Sequence, residues 1–243
     1  MVRVAERSDV SPGVWLITLD RPERRNAVDH GALLALLDAQ QQVADARVVV
    51  LTGEPPAFSA GADLTGVEQG VYADDLHRVL RGFVALGAPV IAAIDGPALG
   101  AGAQLASVCD LRVATGESVV GVPAARLGLV IDAWTIDRLR HEFGVAITRG
   151  MLTAAETYTG RRLFDAGVVH RLGALDDALA WAGEIAALAP LSIAAHKFAL
   201  DADGSTDASA RYEALRTAAW SSEDAAEGRA AFLAKRRPVF RGR

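Results

Sequence analysis

Cysteine is nearly absent from this sequence, and its scarcity excludes several kinds of protein. Cys109 is the single cysteine, so neither an intramolecular disulfide framework nor a cysteine-based zinc cluster can form. A lone thiol is typical of the reducing cytosol, and we expect a cytoplasmic protein with no metal site. No apolar run approaches the ~20 residues that span a bilayer. Because Glu6 precedes any apolar stretch, neither a signal peptide nor a transit peptide is expected.

A strong net charge is also missing. The chain carries 25 Lys and Arg residues against 30 Asp and Glu residues, a formal net charge of −5. A weakly acidic chain has no overall field that would hold a polyanion, so we do not expect nucleic-acid binding. Since domains usually take ~100–200 residues, the 243 residues suit one large domain or one domain with an appendage.

Three familiar nucleotide-binding or catalytic motifs are incomplete or missing. The run from Gly100 through Gly102 places Leu105 where the dinucleotide fingerprint G-x-G-x-x-G needs its third glycine. No Gly-Lys-Ser/Thr of a P-loop follows either glycine-rich segment. Ser59 lacks the glycine two residues before it that a G-x-S-x-G elbow requires. The sequence therefore supports neither a nicotinamide enzyme, nor a P-loop protein, nor a serine hydrolase.

Short apolar segments alternate with helical periodicity in the first half of the chain. A hairpin is predicted from Val2 and Val4 together with residues 14–19. Further strands are predicted at 47–53, 89–94 and 111–114. Helices are predicted after a cap at Asp29, over 74–86 and from about Gly100. Alternating strands and crossover helices indicate an α/β fold with a largely parallel, right-handed arrangement.

From about residue 133 onward the pattern predicts helices alone. The expected segments are 135–143, 145–152, 175–188, 190–202 and 207–234. We divide the chain into a core at 1–190 and a helical C-terminal region at 191–243. By composition the basic end, 235–243, is a solvated tail.

Two Gly/Ala-rich segments follow predicted strands. The first is Ala57-Phe-Ser-Ala-Gly-Ala-Asp-Leu64, whose small residues let a ligand approach the main chain and can leave the amide of Ala60 unpaired. The second, 96–105, opens a helix whose first N–H groups are orphan donors. Together the two amides would form an oxyanion hole, although for either motif alone a tight turn is the simpler explanation.

These segments carry a family resemblance. Residues 19–27, 51–64, 89–102, 109–113 and 232–236 resemble, in order, motifs of the enoyl-CoA hydratase/isomerase, or crotonase, family. The resemblance implies a spiral of ββα units, a C-terminal helical region that forms a homotrimer or hexamer, and an acyl-CoA thioester as ligand rather than a permanently bound cofactor.

The resemblance also implies roles for particular residues. Ala60 and Ala101 match the two oxyanion-hole amides, and Lys235 matches a lysine that contacts CoA phosphates across a subunit boundary. The remaining matches fall where the family binds the CoA nucleotide: Arg24, Arg25, Ala27, Ala62, Asp63 and Leu64.

The sequence departs from the family at its two catalytic glutamates. Gln104 and Ala124 stand at those positions. A carboxamide can only form hydrogen bonds and a methyl group cannot transfer a proton, whereas a general acid/base group typically contributes ~10²–10⁴ in rate. We therefore expect little hydration activity, and the chain resembles the subset of actinobacterial acyl-CoA-binding homologues that lack these glutamates.

Asp132 lies where some isomerases of the family place a catalytic aspartate. Asp is also a preferred helix cap, and we favour a cap for the helix that begins near Trp134. Trp134 either reshapes the acyl pocket or packs in the core. Two hypotheses follow. The first is an acyl-CoA-binding protein of fatty-acid or lipid metabolism that is impaired or inactive as a hydratase. The second is an active enoyl-CoA isomerase or other enolate-forming enzyme that uses Asp132 as its acid/base group.

Overall fold

The computed structural model describes residues 2–63, 65, 69–202 and 204–243. Nine strands form two sheets within these residues. The strands are β1 (Val2–Glu6), β2 (Val14–Leu19), β3 (Val48–Gly53), β4 (Val90–Ile94), β5 (Pro97–Leu99), β6 (Leu111–Ala114), β7 (Val119–Gly121), β8 (Thr157–Thr159) and β9 (Arg171–Leu172). The helices are α1 (His30–Gln42), α2 (Gln69–Ala85), α3 (Ala101–Ser107), α4 (Ala133–Thr153), α5 (Gly160–Asp165), α6 (Leu175–Ala186), α7 (Pro190–Asp201), α8 (Thr206–Ser221) and α9 (Glu223–Leu233).

The larger sheet has six strands in the order β1-β2-β3-β4-β6-β9. Its pairs are parallel except for the antiparallel β1–β2 pair, as the hairpin prediction required. The smaller sheet, β5-β7-β8, pairs β5 with β7 in parallel and β7 with β8 antiparallel. The α/β class and the largely parallel arrangement are confirmed.

The apolar residues of the central strands fill a core between the six-stranded sheet and its helices. All of β4 is buried, and so is β3 up to its final glycine. One face of the sheet packs on α1, α2 and α3, and the other packs on α6. Strands buried on both faces need near-continuous apolar sequence, which is why these runs lack the polar alternation of an exposed sheet.

Several helix boundaries follow from local chemistry. The Asp29 carboxylate accepts the Ala32 N–H at 2.7 Å and begins α1, as predicted. Pro190 occupies the first turn of α7, where its missing N–H is not needed. Gly144 (φ 77°) breaks the helical dihedrals inside α4, so the predicted separation of residues 135–143 from 145–152 is present as a kink.

The prediction that strands end before residue 133 is wrong. β8 and β9 lie beyond it, and each adds only two or three residues to a sheet edge. Segments that short carry no measurable alternation, so sequence periodicity could not reveal them.

Lys197 connects α7 to the core. Its ammonium group is buried, lies 2.8 Å from the Asp110 carboxylate and donates to the carbonyl oxygens of Phe83 and Ala88. Among the described residues no single helix is long and apolar enough to span a membrane. Only α6 and α7 taken together, with a bend of 112° between them, reach that length and composition.

Candidate functional site

The two small-residue loops predicted at the site lie side by side. Ser59 and Ala98 form a parallel bridge. The Ser59 N–H donates to the Pro97 carbonyl oxygen at 3.0 Å, and the Leu99 N–H donates to the Ser59 carbonyl oxygen at 2.9 Å. Residues 57–63 therefore run beside the segment that leads into α3.

Two glycines permit this close approach. A Cβ atom on Gly102 would lie 2.5 Å from the Ser59 carbonyl oxygen, closer than carbon and oxygen tolerate. A Cβ on Gly61, which has φ of 106°, would lie 2.8 Å from the Leu99 carbonyl oxygen. The segments are rich in glycine because the two loops contact each other closely at these positions.

The prediction that the Ala60 amide is unpaired is wrong. The Ala60 N–H donates to the Arg25 carbonyl oxygen at 2.9 Å. Arg25 adopts a left-handed φ of 49°, and this turn directs its carbonyl oxygen toward the loop. In this structure the Ala60 amide is therefore occupied by a main-chain partner.

Two other amides in the paired loops remain available. Within the described part of the chain, no acceptor takes the N–H of Ala62 or that of Ala101. Ala101 is the first residue of α3, so its N–H has no partner in its own helix. A Cβ built on Gly61, the neighbour of Ala62, would lie 3.6 Å from the Ala101 nitrogen. The loops thus bring two unpaired N–H donors close together. In the first loop the unpaired amide belongs to Ala62 and not, as predicted, to Ala60.

Gln104 lies on α3, one turn beyond Ala101. The residue is only 5% exposed. Its carboxamide has no hydrogen-bond partner among the described residues, but its polar atoms are not fully enclosed, so a ligand or water can reach them. Ala124 begins a short 3₁₀ helix that follows β7. Because the Gly100 N–H donates to the Gly121 carbonyl oxygen at 2.9 Å, the Ala124 segment leaves β7 next to the Ala101 amide.

Asp132 caps α4, as favoured from the sequence. Its carboxylate accepts the Thr135 N–H at 3.0 Å and the Thr135 hydroxyl at 2.6 Å. Partial burial acts to raise the pKa of Asp132, but the two Thr135 hydrogen bonds and nearby His77 outweigh it and hold the pKa below its ordinary value. Asp132 is thus a partly exposed, ionised carboxylate and a weak base.

Trp134 takes part in a cluster that the sequence did not predict. Its half-buried ring meets His77 of α2 edge-on, with 5.2 Å between ring centroids. The Arg81 guanidinium lies 5.2 Å from the Trp134 ring centroid. His77 Nδ1 is 3.6 Å from Asp132 Oδ1. No motif flagged His77, because residues of α2 and α4 meet only in the folded chain.

The segment predicted to bind the CoA nucleotide runs beside the first loop. The Val28 N–H donates to the Gly61 carbonyl oxygen at 2.8 Å, and Val28 pairs with Ala62 in a parallel bridge. Arg24 and Arg25 are exposed, and Arg24 Nε lies 3.8 Å from Asp63 Oδ2.

Asp63 is tied into this segment by hydrogen bonds. Thr65 donates to its carboxylate from the hydroxyl and from the backbone, and these bonds, with the nearby arginines, lower the pKa of Asp63. Arg21, which sequence inspection did not single out, pairs with Asp63 at 3.3 Å and donates to the Ala27 carbonyl oxygen at 2.9 Å. Leu64, predicted to bind CoA, lies outside the described residues.

Asn26 is a second residue that the sequence analysis missed. Its buried amide nitrogen donates to the carbonyl oxygens of Glu54 (2.7 Å) and Ala57 (2.6 Å). Its side-chain oxygen accepts the Arg21 N–H at 2.9 Å. Asn26 also has a φ of 55°, a conformation that asparagine tolerates better than most residues. The sequence signal that could have indicated Asn26 is an asparagine that follows two arginines in a turn.

Lys235 follows α9 and is exposed, with φ of 52°. The tail beyond it is more ordered than its composition suggested. Asp224, at the start of α9, accepts the N–H groups of Arg241 (2.6 Å) and Gly242 (2.7 Å). Arg236 forms two hydrogen bonds to Glu227, so the tail lies along α9 of its own chain.

A cavity of about 750 Å³ lies between α2, α4, α7 and α8. Trp134, Arg81, Phe198 and Arg211 are among its lining residues. Neither amide-bearing loop lines this cavity. Trp134 therefore connects the cavity with the His77 and Asp132 side chains.

Comparison with known proteins agrees with this architecture. The family model described as enoyl-CoA hydratase/isomerase matches residues 9–243. The chain is 43% identical over 241 residues to a protein of Mycobacterium leprae named probable enoyl-CoA hydratase echA6, covering 95% of this chain and 96% of that one. It is 34% identical to the 2,3-dehydroadipyl-CoA hydratase of Escherichia coli, with 95% and 96% of the two chains covered.

Solved structures show the same fold. An enoyl-CoA hydratase/carnithine racemase from Magnetospirillum magneticum has a TM-score of 0.87 at 30% identity, covering 100% of this chain and 96% of that one. An enoyl-CoA hydratase of Mycobacterium smegmatis has a TM-score of 0.86 at 29% identity, with 98% of each chain covered. The fold is that of the crotonases, and the chain belongs to the enoyl-CoA hydratase/isomerase family.

Proposed function

We propose that this protein binds an acyl-CoA thioester in fatty-acid or lipid metabolism. The observation that carries the proposal is the pair of unpaired amides at Ala62 and Ala101 in adjoining loops. Two neighbouring N–H donors without main-chain acceptors suit an oxygen that gains negative charge, as a thioester oxygen does when an enolate forms. The family membership supports the thioester as ligand.

Arg24 and Arg25 are proposed to bind the CoA nucleotide. Both are exposed cations on the segment that pairs with the first loop, so a phosphate bound there would lie near the thioester-binding amides. The Arg21–Asp63 and Arg24–Asp63 contacts hold this segment in place. Ala27 and Ala62, which the family resemblance also assigns to CoA, lie on this segment and on the loop that pairs with it.

The protein is further proposed to be impaired or inactive as a hydratase. Hydration needs groups that take a proton from water and return one to carbon. Gln104 and Ala124 stand where the family resemblance places those groups, and neither exchanges protons. Binding does not depend on them, because the proposed contacts to the thioester are main-chain amides.

A second candidate function is enolate formation without hydration. It is favoured by Asp132, which is an ionised carboxylate within ion-pair distance of His77 near the predicted acyl pocket at Trp134. Such chemistry needs one base and the amide pair, and it does not need two glutamates.

Calorimetry with hexanoyl-CoA and free CoA tests the proposed binding. Ala101→Pro removes one amide donor at the first position of a helix, where proline is tolerated, and Ala101→Gly is the matched control that keeps the donor. We expect wild type and Ala101→Gly to bind hexanoyl-CoA more tightly than CoA. The folded Ala101→Pro variant should lose about tenfold of that preference, because one hydrogen bond to the thioester oxygen is gone. Equal affinity of wild type for both ligands would contradict the proposal.

A further inference from the structure

His77 and Asp132 form a histidine–carboxylate pair built from two helices. His77 Nδ1 lies 3.6 Å from Asp132 Oδ1, an ion-pair distance, and the Trp134 ring packs edge-on against the imidazole. Thr135 holds the carboxylate by two hydrogen bonds. Both partners are partly exposed, with 41% of the His77 side chain and 47% of the Asp132 side chain accessible, so a ligand can reach the pair.

The two members of the pair have different roles: Asp132 holds the imidazole in place, and His77 accepts the proton. The Thr135 hydrogen bonds stabilise the charged form of Asp132 and weaken it as a proton acceptor. The same bonds fix the carboxylate as a negative charge beside Nδ1 of His77. The other ring nitrogen, Nε2, is then the one left to meet a ligand.

Both members lie on elements that flank the amide loops. Tyr72, in the first turn of α2, donates its hydroxyl hydrogen to the Val28 carbonyl oxygen at 3.1 Å, and Val28 pairs with Ala62. His77 follows five residues later, roughly 7.5 Å along the helix axis. Asp132 ends the segment that leaves β7 at Gly121, whose carbonyl oxygen accepts the Gly100 N–H.

We propose that His77 is a catalytic base for α-proton transfer on acyl-CoA and that Asp132 is its positioning residue. This inference rests on the acyl-CoA binding proposed above. His77 Nε2 takes a proton from the carbon next to the thioester carbonyl, so that C–H bond breaks and an N–H bond forms. The electron pair of the broken bond moves to the thioester oxygen, which the Ala62 and Ala101 amides stabilise. The imidazolium returns the proton to carbon.

Hydrogen–deuterium exchange at carbon tests this role. Trans-3-hexenoyl-CoA is incubated with the full-length protein in deuterated water, and mass spectrometry follows deuterium incorporation. We expect wild type to exchange the α-protons and His77→Gln to do so at least about 100-fold more slowly, the lower end of a general-base contribution. Asp132→Asn should slow exchange while hexanoyl-CoA affinity is kept. Asp132→Glu should restore part of the rate.

His30 supplies a matched control. Its Nδ1 lies 3.1 Å from Asp75 Oδ2, so it is another histidine–aspartate pair between helices, outside the proposed machinery. His30→Gln should exchange like wild type. Imidazole added to His77→Ala should recover exchange, which a purely structural role of His77 would not allow.

The outcomes separate the two proposals. If wild type binds hexanoyl-CoA but shows no exchange, or if His77→Gln exchanges as fast as wild type, the base assignment is overturned and the binding proposal stands. If wild type binds no acyl-CoA, both fall.

Discussion

At the scale of single residues, Gln104 and Ala124 set the expected reactivity. Wild type should hydrate crotonyl-CoA at a negligible rate, because neither side chain transfers protons. Gln104→Glu combined with Ala124→Glu should give more hydratase activity than the two single changes together predict, since both carboxylates would act on one water. Loss of the absorbance of the conjugated enoyl thioester measures the rate. Ala125→Glu, one residue away on the exposed side of the same 3₁₀ helix, is the control and should add nothing.

Asn26 is predicted to stabilise the folded protein as well as to fix the geometry of its loop. Asn26→Ala would leave the carbonyl oxygens of Glu54 and Ala57 without their buried donor and would impose a left-handed φ on alanine. We expect a loss of about 3 kcal/mol in the free energy of unfolding, measured in urea. Asn26→Gly removes the same hydrogen bonds but accepts the φ, so it should lose less. Equal stability of Asn26→Ala and wild type would refute this assignment.

At the scale of elements, one charged pair contributes to the contacts of the C-terminal tail with α9. Two hydrogen bonds from Arg236 hold the pKa of Glu227 at about 2, below its ordinary 4.5. A lowered carboxyl pKa means that this stabilisation is present above about pH 4.5 and is lost as the pH falls toward 2. At neutral pH, Glu227→Gln should therefore speed amide hydrogen exchange in residues 236–243.

The matched control for the tail is a surface pair on α8. Glu213 accepts from Arg216 at 2.9 Å, and Glu213→Gln should leave exchange in the tail unchanged. Unaltered tail exchange in Glu227→Gln would mean that the Asp224 contacts to Arg241 and Gly242 hold the tail by themselves.

Elements also show where sequence-based prediction reaches its limit. The strands at 48–53 and 90–94 and the cap at Asp29 were predictable because burial on both faces and capping leave local signatures. The pairing of His77 with Asp132 was not, since it joins residues 55 positions apart in sequence. The occupied Ala60 amide depends on the direction of the Arg25 carbonyl oxygen, which residue type does not determine. Features with a local sequence signature were thus predictable, whereas contacts and main-chain directions that arise only in the folded chain were not.

At the scale of the whole molecule, the C-terminal helices expose apolar surface that one chain does not cover. Trp220, Phe232 and Leu233 are 68%, 84% and 81% exposed. Large exposed apolar side chains on two consecutive helices favour a contact surface there. We expect a homotrimer at micromolar concentration by light scattering. Phe232→Glu should weaken it, while Phe232→Leu should not. A monomeric wild type would contradict the prediction.

Assembly and ligand binding should be linked through Lys235. If its exposed ammonium group reaches the CoA phosphates of a neighbouring subunit, Lys235→Ala should weaken CoA binding most at low ionic strength, because salt screens exposed charges. The dependence of affinity on salt should also be shallower than in wild type, since one ionic contact is gone. Arg237→Ala, which removes a nearby cation of the same tail, is the control and should keep the wild-type salt dependence. Calorimetry at several salt concentrations measures the CoA affinity of both variants. If the two changes lower it equally, the tail attracts CoA only through its overall charge, and Lys235 is not part of the site.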